Sequence, residues 1–133
     1  MRRMPWRVAE NLGWPEMMSC EAFASRALAE DAVYVTYPCM TPSWDNSSHR
    51  RSGPALLVGS TPQRYEDWLR GAARKASGME GRLLFTNAWN EWAEGCHLEP
   101  CRRWGRSYLE ATGRDLRVGS ADAGGLGLLE LEQ

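Results

Sequence analysis

The stretch "RLLFTNAWNEWAEG", residues 82–95, decides how this chain is built. Leu83, Leu84 and Phe85 form a continuous apolar run of the kind found in parallel strands buried on both faces. Asn87, Trp89, Asn90, Glu91, Trp92 and Glu94 follow it closely, so the polar and amphipathic groups gather where that strand ends. Working outward, a similar unit lies upstream. "AVYVTYP", residues 32–38, is rich in β-branched and aromatic residues and predicts a strand over 33–37, with Pro38 ending its capacity to extend a ladder. The polar loop "CMTPSWDNSSHRRSGP", residues 39–54, comes next, and its length marks it as functional or disordered.

Helical segments separate these units. Ser19 is a plausible N-cap for "SCEAFASRALAED", with Phe23, Ala24, Ala27 and Leu28 at helical spacing and Glu21 in the first turn. After "ALLVGS", a short apolar run that suits a small strand, Thr61 caps a second helix with Pro62 at its first position. Tyr65, Trp68, Leu69, Ala72 and Ala76 line one face of it before Gly78 stops it. "WGRSYLEAT" predicts a last short helix ending at Gly113. Strands alternating with helices argue for right-handed βαβ units and a parallel sheet, so the expected class is α/β, with both long loops at the C-terminal ends of strands. Such ends carry the chemistry of α/β proteins.

At 133 residues the chain suits one domain. The expected division is an irregular lead-in over 1–18, broken by Pro5, Gly13 and Pro15, a βα region over 19–113, and a glycine-containing flexible tail over 114–133. Sixteen Lys and Arg against 17 Asp and Glu leave a net charge of -1, which offers no general attraction for nucleic acid or an anionic membrane. No apolar run approaches the roughly 18 residues of a membrane span, and none follows the basic start, so neither signal peptide nor membrane insertion is expected. Four scattered cysteines do not form the framework of a small secreted domain, and the expected compartment is cytoplasmic. Seven tryptophans against two phenylalanines exceed packing needs, which assigns some of them to a binding surface.

Glu91 and Glu94 are three residues apart, so a single helical turn would bring their Cβ atoms to about 5–6 Å. Paired carboxylates suit acid/base work on a glycosidic bond, because like charges held close raise one pKa and leave the other group ionised. The bland alternative is a solvated loop with two surface glutamates. Asn87 and Asn90 can donate to sugar hydroxyls, and Trp89 and Trp92 can stack on a pyranose ring or serve as core aromatics. In the other loop Asp45 and Asn46 follow Trp44 and could hold vicinal hydroxyls, while Arg50 or Arg51 could grip a phosphate or carboxylate. An Asx-turn beside a solvated basic run explains the same residues. Cys96, His97 and Cys101 lack a fourth ligand at a recognisable spacing, so no metal is expected, and no cofactor motif is present.

"PSWDNSSHRR", "FTNAWNEWAEGCHLEP" and "WGRSYLEAT" together resemble the C-terminal part of the WbsX-like proteins, a family of lipopolysaccharide-biosynthesis glycosyltransferases related to the family 99 glycoside hydrolases, the endo-α-mannosidases. The likeness runs from about Tyr34 to Thr112, and the N-E-W-x-E-G element with its trailing L-E-P carries its specificity. The resemblance implies a (β/α)8 barrel of TIM type. A complete barrel takes about 250 residues, so this chain would supply only its C-terminal strands and helices. It also implies that Glu91 assists attack by a sugar 2-hydroxyl and that Glu94 is the acid/base at the leaving oxygen, in a retaining mechanism through an anhydro-sugar. Trp44, Asp45, Asn46, Arg51, Asn87, Trp89, Asn90, Trp92 and Glu99 form the expected set around an oligo- or polysaccharide. Glycosyl transfer and glycoside hydrolysis both stay open, as does a catalytically inactive carbohydrate-binding or structural remnant of such a barrel.

Overall fold

The computed structural model describes residues 16–48, 50 and 53–122. Four short strands and three helices make up its main body: β1 (Glu16–Ser19), α1 (Cys20–Ala29), β2 (Cys39–Met40), β3 (Ala55–Val58), α2 (Pro62–Ser77), β4 (Phe85–Thr86) and α3 (Ser107–Asp122). Between β4 and α3 lies a small hairpin of β5 (Asn90–Glu91) and β6 (Cys96–His97). β1 pairs in parallel with β3 and β2 in parallel with β4, whereas β5 and β6 are antiparallel. The α/β class therefore holds. Among the described residues the strands form three separate two-stranded sheets and no closed barrel.

The helices follow their sequence signals. Ser19 Oγ accepts from the Ala22 N–H and Thr61 Oγ1 from the Arg64 N–H, each satisfying a donor that the first helical turn leaves free. α2 is central. Its Tyr65, Trp68, Leu69 and Ala72 join Met40 of β2, Leu98, and Tyr108 and Ala111 of α3 in one core. Tyr65 and Tyr108 meet edge to face at 5.5 Å, as do Phe23 of α1 and Trp68 at 5.7 Å. Lys75, near the C-terminus of α2, donates to the carbonyls of Leu28 and Glu30, closing the end of α1.

Several sequence expectations are corrected. Residues 33–37 form no strand: Val33, Tyr34 and Val35 are exposed, and the ladder begins only after Pro38. Proline lacks the donor but not the acceptor, and the Pro38 carbonyl takes the Phe85 N–H at 2.9 Å. The apolar run at 83–85 is not covered on both faces, since Leu83 and Phe85 are 47% and 52% exposed. Gly113 does not end the last helix, which continues to Asp122. Packing against α2 overrides the local cost of a mid-helix glycine. Asp115 is buried, and Arg114 grips Glu66 through Nε and Nη2 at 3.1 and 2.6 Å. β1 likewise starts within the stretch read as irregular.

Candidate functional site

β2 and β4 are adjacent parallel strands, paired Cys39 to Phe85 and Met40 to Thr86, so the segments after them leave at the same end. Hydrogen bonds then stitch the two segments together. The Asn87 N–H donates to the Met40 carbonyl at 2.9 Å, extending the ladder. Cys96 Sγ lies 2.9 Å from Thr41 Oγ1 and donates to the Asn87 carbonyl at 2.8 Å, so one buried thiol joins all three segments. Further out the Asp45 N–H donates to the Glu94 carbonyl at 2.8 Å, Ser43 Oγ to the Gly95 carbonyl, and Ser48 Oγ to the Ala93 carbonyl at 3.4 Å. Gly95, at φ 57°, closes the turn, and a Cβ there would meet Asp45 Cβ at 3.6 Å. The left-handed backbone, more than the contact, calls for glycine.

The two glutamates do not share the single α-helical turn expected from their spacing. Glu91 lies in β5 opposite Cys96, and Glu94 closes the 3-10 turn Trp92–Glu94 that links β5 to β6. The hairpin ladder claims Glu91 before any helix can. Both follow the C-terminal end of a parallel strand, with Glu91 exposed and Glu94 half-buried. Asn87 and Asn90 are exposed, and so are Trp89 and Trp92 at 54% and 50%, which removes both indoles from the core. The Trp89 carbonyl accepts from Leu98 and Glu99, fixing the base of the hairpin. Trp92 Nε1 donates to Glu99 Oε2 at 2.6 Å, and its ring stacks on His97 with centroids 3.7 Å apart and an interplanar angle of 17°.

On the opposite loop Trp44 is half-buried and its carbonyl accepts from Leu57. Asp45 forms an Asx-turn, its Oδ1 accepting from the Ser47 N–H at 3.0 Å and the Ser47 hydroxyl at 2.5 Å. The hydroxyl first and the amide second hold the Asp45 carboxyl below its usual range, so it is anionic at neutral pH. Asn46 is only 3% exposed, and its Oδ1 takes the Ala55 N–H at 2.7 Å. Its amide oxygen thus fastens the loop to β3. Arg50 is exposed, while Arg51 and His49 lie outside the described residues.

The structure brings Asp45 against the turn that carries Glu94 and Glu99 against Trp92, whereas Trp44 and Asn46 bond to Leu57 and Ala55 of β3. Sequence reasoning gave no part to Ser43, Gly95, Cys96 or His97 in this junction. Their signal is weak, because two-residue strands have no visible period. Burial pushes the Cys96 thiol up and lowers the His97 pKa, leaving both neutral at pH 7. No group of three His, Cys, Asp or Glu side chains suited to a metal is present among the described residues.

The chain matches the model of the family Glycosyltransferase WbsX over residues 7–112. It belongs to that family. This WbsX-family chain is 40% identical over 103 residues to the uncharacterized protein WxcX of Xanthomonas campestris pv. campestris strain B100, a match covering 71% of this chain and 15% of that protein. It is 43% identical over 82 residues to the protein of the same name from a second strain, covering 59% of this chain and 12% of that one. The chain thus spans a small part of the length of these relatives. No solved structure matches it. No helix among the described residues is long and apolar enough to cross a membrane.

Proposed function

We propose that this chain is the carbohydrate-handling C-terminal portion of a (β/α)8 barrel acting in polysaccharide or lipopolysaccharide metabolism. The supporting observation is the junction of the two loops at one end of adjacent parallel strands, tied by the bond from the Asp45 N–H to the Glu94 carbonyl. Membership of a glycosyltransferase family supports a sugar as substrate class. Within this reading Glu91 and Glu94 are the paired carboxylates. Glu91 takes the proton of the 2-hydroxyl as that oxygen bonds to C1, and Glu94 gives a proton to the leaving glycosidic oxygen as the C1–O bond breaks. An acceptor hydroxyl then opens the anhydro-sugar, losing its proton to Glu94 while O2 recovers one from Glu91. Water as acceptor gives hydrolysis and a sugar hydroxyl gives transfer. Asp45, anionic and presented by its Asx-turn, accepts hydrogen bonds from sugar hydroxyls. Arg51 is the cationic group of the same loop, and Trp44, Asn87, Trp89 and Asn90 complete the sugar contacts.

A second reading has a specific observation behind it. Trp89, Asn90, Glu91 and Trp92 are all exposed in this chain, and acid/base catalysis gains from excluded water. The isolated chain then binds sugar without turning it over, and turnover requires the remaining barrel. The test is Glu91→Gln in a protein carrying the missing strands. Loss of turnover by about 100-fold or more, with sugar binding retained, is the expected result. Unchanged turnover removes Glu91 from the mechanism.

A further inference from the structure

Trp92 is held on two sides. Its indole N–H donates to Glu99 at 2.6 Å and one ring face lies on the His97 imidazole at 3.7 Å, yet half of the side chain is open to solvent. A ring stacked on one face and half exposed presents its other face outward. The partners come from the far side of the hairpin, where β6 ends in His97 and Glu99 follows two residues later. Cys96 Sγ anchors that strand to the Asn87 carbonyl, and the Leu98 N–H fixes it to the Trp89 carbonyl at 2.9 Å. The imidazole beneath the indole is therefore carried on hydrogen-bonded backbone.

We infer that His97 and Glu99 are positioning residues that lock Trp92 as a flat platform with one face closed and the other open to solvent, ready to stack on a pyranose ring. The platform rests on the carbohydrate reading above for its ligand, but not for its geometry. A free indole on a turn samples several rotamers, and fixing it in advance removes that ordering cost from binding. Glu99 thus acts on sugar through Trp92. Burial keeps the imidazole neutral, so the contact is aromatic stacking without a cationic partner.

The test uses the chain labelled with 5-fluorotryptophan, with the Trp92 fluorine signal assigned by its loss in Trp92→Phe. A single narrow Trp92 resonance is expected in the unsubstituted chain. His97→Ala and Glu99→Ala should broaden and shift it, while His97→Phe, which keeps a flat ring, and Glu99→Gln, which keeps an acceptor, should restore it. The other tryptophan signals report whether each variant is folded, and Glu99→Ala carries the test should His97→Ala unfold. A Trp92 signal unchanged in both alanine variants overturns the inference. Oligosaccharides cut from α-mannan are then added, and they should move the Trp92 signal in the unsubstituted chain and in His97→Phe. A narrow, His97-dependent signal that is indifferent to those sugars upholds the platform and counts against the carbohydrate reading.

Discussion

At the scale of single residues, the junction divides its side chains between holding and meeting. Asn46 holds: with Oδ1 taking the Ala55 N–H, Asn46→Ala leaves a partly buried donor unpaired and should cost about 1–3 kcal/mol by denaturant unfolding. A loss near zero would show that the loop fastens elsewhere. Glu91, Trp89 and Asn90 meet solvent, and substitutions there should leave stability within about 0.5 kcal/mol. Residue type alone marked these positions in the sequence, since paired glutamates among indoles and asparagines after a strand stand out from their surroundings. It could not show that Asn46 faces inward, because an asparagine in a polar loop carries no mark of burial. Nor could it show His97 beneath Trp92, a contact that exists only once β5 and β6 pair.

At the scale of elements, the helices and the two strands β3 and β4 were readable, while β1, β2 and the strand pairing were not. α2 carries a cap, a proline at its start, a continuous apolar face and a stop, and all of these are local. Leu69, 1% exposed at the centre of that face, is its most sensitive point. Leu69→Ala should cost about 2–5 kcal/mol, measured by chemical denaturation, and a loss below 1 would mean that the core lies elsewhere. Thr61→Ala should cost about 1 kcal/mol through the lost cap. The strands are two to four residues long, and their pairing is set by distant partners. Thus the strongly β-prone residues 33–35 stay exposed, while Cys39 and Met40, with weaker propensity, form the ladder because β4 lies beside them. Gly113 misled for the same reason, its helix being held by contacts of Arg114 and Asp115 with α2.

At the scale of the whole molecule, two properties follow from charge and exposure. The Arg114 guanidinium, bonded to Glu66, holds that carboxyl below its usual range, with Arg70 assisting and burial opposing. A carboxyl whose folded pKa is depressed stabilises the fold fully above its unfolded value of 4.5, and that contribution is lost as pH falls through the lower folded value. His97 adds an earlier loss, because burial of its neutral form favours unfolding as pH drops below 6.5. Unfolding free energy should therefore decline on acidification in two stages. Glu66→Gln should flatten the lower stage only; an unaltered profile would show that the α2–α3 ion pair does not contribute.

The outer edges of the β2–β4 pair carry no strand among the described residues, and Leu83 and Phe85 stand exposed there, with Tyr37 edge to face on Phe85 at 6.2 Å. Uncovered apolar edges promote self-association. Phe85→Lys should lower the mass-average size seen by light scattering, and an unchanged size would mean that this edge is already shielded. The α/β class and the place of the loops were legible in the alternation of elements. The three separate sheets were not, since no local pattern states which strands meet.

The central claim is that the junction of the two loops handles carbohydrate. Its most direct test is a tryptophan fluorescence titration of this chain with oligosaccharides from α-mannan and from bacterial lipopolysaccharide, repeated with Trp92→Ala and Glu91→Gln. A saturable change that vanishes in Trp92→Ala and persists in Glu91→Gln is the predicted result. No response to any of these sugars would contradict it, as would a response that survives the combined loss of Trp44, Trp89 and Trp92.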